Sequence, residues 1–293
     1  MQESYTSSIT VNAIKSAVIV PVLAGGGSRL SAHIGVLTAL QEMKIQFPSL
    51  VGVSGGSIVG ALFSAGYSLN QIRVIAEETD FAQFMGQSFY RLLRTGGLST
   101  GNRFEEWIDN KLNGATFSDL KYPFHVVATD VRSGLPVIFN KDRTPHVKVS
   151  LAVCFSMSIP IIFSFKEFEG HLMVDGSILS EESLQQDWTG DGSPVIVFRL
   201  SSIQERADQK KIRYFPLIGY LSLLIRTFMT TMSREYISEH FWHSTVVIHA
   251  GSISPTEFRL NAEQKNALFE VGYATTRRIV PMKIPKILPT FTG

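Results

Sequence analysis

The first strong signal along the chain is an unbroken apolar run over residues 17–23 (Ala-Val-Ile-Val-Pro-Val-Leu), the pattern of a strand covered on both faces. Pro21 has no N–H to give to a neighbouring strand, so an irregularity in the pairing is expected there. A glycine loop follows over 24–29 (Ala-Gly-Gly-Gly-Ser-Arg). Ile34, Leu37 and Leu40, spaced for one helical face, then predict a helix over 31–43. A second short apolar strand ends near Val53 and turns directly into a helix over 58–65. Further helices are predicted over 69–78 and 103–112. The stretch 80–98, rich in Phe, Met and Leu, reads as a core-packed helix, with an apolar wall over a lipid cleft as its alternative, and 96–101 as a loop.

Strand patterns return at 124–128 and 136–139, joined across Thr129 to Gly134 as a hairpin. A small-residue apolar segment covers 149–157. Strands over 172–174 and 194–198 come next, then a charged, solvated loop over 202–213, a helix over 218–242 and a strand over 245–249. A helix over 262–279 ends in a proline-rich tail, expected to be extended from Pro281. Strands alternating with helices predict an α/β fold, a mainly parallel central sheet with helices on both faces. No repeat and no linker divides the chain. We therefore expect one domain over 1–293, with a motif-bearing core at 17–200 and a C-terminal part at 201–293 that carries no catalytic motif.

Composition narrows the function classes. With 293 residues, 44% of them hydrophobic, the chain can bury a large core. A formal net charge of +2 leaves no electrostatic footprint for a polyanion, so no nucleic-acid polymer is expected as partner. The single cysteine, Cys154, excludes an intrachain disulfide, reads as a small buried filler and fits a reducing compartment. Residues 1–10 show no basic region followed by an apolar run, which is read as no signal peptide and a cytoplasmic protein. The apolar stretch 215–232 is broken by Arg226 and reads as a buried or membrane-touching helix rather than a span.

The chemistry concentrates in two glycine-rich turns and one aspartate. Gly52-Val53-Ser54-Gly55-Gly56 matches G-x-S-x-G, in which a serine stands at the apex of a sharp strand-to-helix turn and small residues two positions away let the backbones cross. Gly25, Gly26 and Gly27 open the preceding helix with a row of N–H groups, a natural seat for negative charge. The lysine of a phosphate-binding Walker loop is missing, and Leu30 occupies the third glycine position of a dinucleotide loop. An oxyanion hole is the remaining use, where removing one donor raises a barrier by about 2.7–4 kcal/mol. The serine also needs a base. Seven histidines are available: His33, His125, His146, His171, His240, His243 and His249. His171 precedes Asp175-Gly176, whereas a Ser…Asp…His order would call on His240 or later. An aspartate can also take the proton directly. Asp175, presented at a strand end before a glycine, suits that role, and Asp130 in a turn suits it less. No His/Cys/Asp cluster has metal-ligand spacing, and no metal or cofactor is expected.

Together these segments resemble the patatin-like phospholipases, over most of the chain from about residue 17 to 277. Gly25-Gly26-Gly27-Ser28-Arg29 is similar to the family's G-G-G-x-[RK]-G loop, with Leu30 in place of the final glycine. Ser54 stands in the matched elbow, and Asp175-Gly176-Ser177 is similar to D-G-[GA], with Ser177 departing at the third place. Ala32 to Leu37, Ala128-Thr129-Asp130 and Ser156 to Pro160 also look like family segments.

The resemblance implies a three-layer patatin-like fold and a lipid acyl hydrolase of phospholipase A or lysophospholipase type, acting on membrane phospholipids at the inner face of a membrane. Ser54 would be the nucleophile, Asp175 the general base, and Gly25, Gly26 and Gly27 the oxyanion hole. Gly52, Gly56 and Gly176 would support them, and Arg29 would either orient the loop or attract a phosphate head group. Three alternatives stand beside it. The same chemistry could be gated by a cyclic oligonucleotide bound beyond Ser201, as in antiphage effectors that resemble this chain. The motifs could persist in an inactive lipid-binding protein. The glycine loop could serve a nicotinamide oxidoreductase. Self-association is left open.

Overall fold

The computed structural model describes residues 17–86, 97–178, 181–201, 220 and 241–287. In chain order, β1 (Val20–Ala24) leads through a short 3-10 turn into α1 (Ser31–Glu42), and β2 (Leu50–Val53) runs into α2 (Gly55–Ala65). Next come α3 (Leu69–Glu78), β3 (Gly97–Ser99), α4 (Asn102–Leu112) and the hairpin of β4 (Phe124–Asp130) with β5 (Pro136–Phe139). α5 (Val149–Ser156) precedes β6 (Ile161–Phe163), β7 (Lys166–Phe168) and β8 (His171–Asp175). A short α6 (Glu181–Leu184), β9 (Val195–Ser201), β10 (Thr245–His249) and α7 (Ala262–Ile287) complete the described elements.

The central sheet runs β10-β9-β1-β2-β4, all parallel, and β5, β8 and β7 add to it antiparallel. This is the mixed α/β fold read from the alternation of patterns, its parallel centre as expected. Two short strands, β6 outside the central sheet and β7 at its antiparallel edge, are ones that periodicity does not show. Ile161-Ile162-Phe163 and Lys166-Glu167-Phe168 are too short for period 2 to stand out. Residues 97–99, read as loop, form β3 by pairing with β6 in a separate two-stranded sheet.

Each strand face has its own core. Ile19, Leu23, Leu50, Val126, Ile196 and Phe198 join the cluster beneath α1 to α5 and α7. Val20, Val22, Val51, Val53, Val127 and Val197 face the other way, where Leu184 and Trp188 cover them. Pro21 is accommodated by a gap. Val20 N–H bonds Pro194 O toward β9, whereas Ile19 N–H bonds Gln46 O on the opposite side. By the period of 2, the bond Pro21 lacks would point with that of Ile19, between Gln46 and the start of β2 at Leu50.

Residues 281–287 are not extended, because α7 continues through Pro281 and Pro285 to Ile287, and 288–293 lie outside the described residues. A proline inside a helix costs about 3 kcal/mol. Val280 and Ile284, both fully buried, sit on either side of Pro281, and their burial returns roughly 1.5–3 kcal/mol each, which offsets much of the cost of the two prolines. The charged loop at 202–213, the helix at 218–242 except for Tyr220 and Phe241-Trp242, and the 87–96 part of the Phe/Met/Leu stretch lie outside the described residues. Before that part, Phe81 and Phe84 pack against Phe104 and Trp107. Among the described residues no helix is long and apolar enough to cross a membrane.

Candidate active site

The sheet itself brings the two key side chains together. Leu50 N–H bonds Pro123 O and Val131 N–H bonds Leu172 O, so β2 and β8 both line the odd-numbered edge of β4, while Asp130 N–H turns to Leu135 O on the β5 side. β2 occupies that edge from Phe124 to Val127, and β8, running the other way, occupies it from Asp130 to Ala128. The two strands therefore end against each other, with Val53 beside Val127 and Asp175 beside Ala128. Gly176 is small because this junction is tight: a Cβ there would sit 2.9 Å from Val53 Cγ1 and press on the carbonyl of Val127.

Ser54 follows Val53 at this junction with φ 54° and ψ −130°, a conformation that costs a residue with a Cβ roughly 1–3 kcal/mol. The surrounding glycines explain how the turn is reached. A Cβ on Gly52 would lie 2.6 Å from Ser57 Cα, and one on Gly56 would drive into the carbonyl of Leu23 on β1. Gly56→Ala is accordingly expected to destabilise the fold by about 1–3 kcal/mol, read as a lower melting temperature. An unchanged melting temperature would show that α2 can shift away from β1.

Ser54 Oγ donates to Asp175 Oδ2 at 2.7 Å, and both residues are almost wholly buried, 1% and 0% exposed. Asp175 Oδ1 accepts the N–H of Ser177 at 2.7 Å. Burial pushes the Asp175 carboxyl above the usual carboxylate range, against the opposing pull of hydrogen bonds from Ser177 and Ser54. The turn after α5 clamps both residues. Ser156 Oγ accepts Ser54 N–H at 2.8 Å and donates to Val127 O at 2.6 Å, Met157 Sδ lies 3.8 Å from Ser54 Oγ, and Ser158 O accepts Asp175 N–H at 3.0 Å. Ser156 opens a segment that looks like the family's, but its bond to the Ser54 N–H is not read from pattern. The available signal is a hydroxyl, fully buried, at the end of an apolar segment.

The glycine loop lies directly against the elbow, since a Cβ on Gly55 would sit 2.9 Å from Gly27 N. Gly25, Gly26 and Gly27 all have positive φ, at 74°, 117° and 52°. Their carbonyls are tied down. Gly25 O accepts Gly56 N–H at 3.2 Å and is 3.0 Å from His33 Nε2, and Gly26 O accepts Arg29 N–H at 2.9 Å and Arg29 Nε at 3.2 Å. Arg29 is buried, its Nη1 reaches Ile253 O at 3.3 Å, and burial pulls its pKa down to about 10. These contacts tie the Arg29 guanidinium to the glycine loop and to Ile253.

The other residues weighed as a base are elsewhere. His171 Nδ1 lies 3.3 Å from Asp130 Oδ2, and Asp130 also accepts from Ser133 Oγ, Leu172 N–H and Arg132 N–H, which holds its carboxyl far below the usual range and pins the β4–β5 hairpin. His125 pairs with Asn140, toward the start of β4. His243 and His249 lie at and beyond a 3-10 turn leading into β10, and His240 is outside the described residues. Cys154 is buried, and burial pushes its thiol up to about 11. Among the described residues no group of three or more His, Cys, Asp or Glu is placed to hold a metal ion.

Burial pulls both His33 and His125 down to about 4 from an ordinary 6.5. Between those values the unfolded chain binds protons that the folded chain does not, so stability falls as pH drops from 6.5 toward 4. For His33 the loss is of order 3 kcal/mol. Melting temperatures measured from pH 7.5 to 4.5 should decline, and the decline should flatten in His125→Asn. A flat wild-type profile would contradict the burial of neutral imidazoles.

With the geometry in view, the comparisons with known proteins are specific. A family profile described as patatin-like phospholipase matches residues 22–184, more than half of the chain. The sequence is 26% identical over 284 residues to the uncharacterised protein YqhO of Bacillus subtilis, covering 87% of this chain and 95% of that one. Neuropathy target esterase sws of Drosophila melanogaster is 29% identical over 164 residues, which is 54% of this chain and 11% of that protein. VipD of Legionella pneumophila superposes with a TM-score of 0.59 at 15% identity, covering 90% of this chain and 67% of VipD, a likeness of fold.

Proposed function

The chain belongs to the patatin-like phospholipase family, and from that premise we propose that it is a serine lipid acyl hydrolase working through a Ser54–Asp175 dyad on the fatty-acyl esters of phospholipids or lysophospholipids. One observation carries the reading: Ser54 Oγ and Asp175 Oδ2 are 2.7 Å apart where β2 and β8 end against each other. Asp175 takes the Ser54 proton as Oγ attacks the ester carbonyl, and its raised pKa makes it a better base than an exposed carboxylate. The tetrahedral oxygen is held by N–H groups of the Gly25–Gly27 loop, those of Gly26 and Gly27 foremost, where the loop lies against the N-terminus of α2 and backbone dipoles favour negative charge. Asp175 then returns the proton to the departing alcohol, leaving a fatty acyl-Ser54. Water deprotonated by Asp175 releases the fatty acid, and Ser54 regains its proton.

The test is covalent. A fluorophosphonate probe should label the protein, and peptide mapping should place the adduct on Ser54. Hydrolysis of phosphatidylcholine vesicles should be lost with that labelling. An active lipase labelled at another serine would sink the assignment, and a protein that binds vesicles without labelling or hydrolysis would be an inactive lipid-binding protein.

A further inference from the structure

We propose that His33 is a positioning residue for the oxyanion hole, holding the Gly25–Gly26 peptide so that its N–H faces the reacting carbonyl. The idea rests on the reading of the Gly26 and Gly27 amides given above. In a trans peptide the C=O of one residue and the N–H of the next point in opposite directions. The Gly26 and Gly27 amides can therefore be aimed by anchoring the carbonyls of Gly25 and Gly26. Arg29 anchors Gly26 O through its own N–H and Nε. Gly25 O has two anchors, Gly56 N–H at 3.2 Å and His33 Nε2 at 3.0 Å. Gly56 belongs to the elbow helix, so the first anchor also fixes the loop against Ser54. The second comes from the opposite side, from the first turn of α1.

The ring is built for this contact. A carbonyl can only accept, so Nε2 carries the proton and Nδ1 is the bare nitrogen. Among the described residues Nδ1 is buried without a hydrogen-bond partner, which suits a nitrogen that has no hydrogen to place. His33 is 0% exposed, and a Cβ on Gly26 would sit 3.3 Å from Nε2, so the ring supports the loop as well as bonding it. α1 is itself fixed by α7, because Gly35 and Gly272 let the two helix backbones touch. Three consecutive positive-φ glycines would otherwise be free to turn their peptide planes.

The experiment compares wild type, His33→Gln and His33→Leu on p-nitrophenyl butyrate, with a trifluoromethyl ketone as a tetrahedral alkoxide mimic. Glutamine carries an amide N–H the same number of bonds from the backbone, and leucine fills space without a donor. His33→Leu should lose about a hundredfold in kcat with KM nearly unchanged, the size expected of a misplaced catalytic group. Its affinity for the ketone should fall in parallel with kcat/KM, and His33→Gln should recover most of both. A cooperatively melting His33→Leu with wild-type kcat overturns the proposal. So does a His33→Gln as slow as His33→Leu. Should leucine prevent folding, His33→Met replaces it in the same comparison. A wild type without Ser54-dependent hydrolysis would instead remove the serine-hydrolase reading, and the proposal with it.

Discussion

Ser54→Ala is expected to lower kcat on a phospholipid or a short-chain ester by about a millionfold while the protein still folds cooperatively, as when the nucleophile of a serine hydrolase is removed. The size follows from what is lost. Without Oγ no acyl-enzyme forms, and what remains is the oxyanion loop acting on a water poorly placed for attack. The fold should survive because the strain at this corner belongs to the backbone. Alanine bears the same Cβ at φ 54° and ψ −130° and keeps the Ser156 bond to its N–H. Glycine relieves that strain, so Ser54→Gly should melt above Ser54→Ala by the equivalent of about 1 kcal/mol. Calorimetry on both variants, beside single-turnover rates, checks the pair. Equal melting temperatures would mean that the elbow is not strained, and residual turnover within a hundredfold of wild type would place the nucleophile elsewhere.

What can be read from sequence here follows the reach of the physical rule involved. The elbow is legible because its spacing is local sterics: Gly52 and Gly56 are small since Ser57 and Leu23 crowd the crossing, and any strand-to-helix corner of this kind demands the same. Asp175-Gly176 is legible for a similar reason, as the glycine lets β8 abut β2. The α3 and β10 boundaries agree with the patterns to the residue, since α3 is amphipathic and opens on a Ser68–Gln71 capping box. What escapes depends on contacts distant in sequence. Ser156 reaches Ser54 across 102 positions, and although Ser156 to Pro160 looks like a family segment, nothing local assigns its hydroxyl to the Ser54 N–H. His33 is one histidine among seven until α1 folds back beneath the loop eight residues before it. Pro281 reads as a helix stop by its own chemistry, and tertiary burial of Val280 and Ile284 overrides it. β6 and β7 are too short to show a period, and their pairing is fixed by β3 and β8.

Asp175→Asn is expected to cost about ten-thousandfold to a millionfold in kcat and to leave the protein as stable as wild type or more so. The substitution keeps shape and hydrogen-bonding capacity. Asparagine Oδ1 can hold the Ser177 N–H now accepted at 2.7 Å, which turns its NH2 toward Ser54 Oγ and makes the nucleophile an acceptor instead of a donor. An amide cannot take the proton, so chemistry stops although the side chain still fits. Stability moves the other way. A carboxylate at 0% exposure with a raised pKa is charged at a cost in the folded state, and a neutral side chain removes that cost. The same shift shapes the wild-type pH profile. Asp175 must be ionised to accept a proton, so kcat/KM should rise with pH through a midpoint above the ordinary aspartate value near 3.8. Titrating the soluble-ester rate from pH 4 to 9 locates that midpoint, and thermal melting of Asp175→Asn at neutral pH tests the stability side. An Asp175→Asn protein that keeps more than a trace of activity would move the base to a histidine. A variant that melts well below wild type would show that the carboxylate is held for the fold rather than for the reaction.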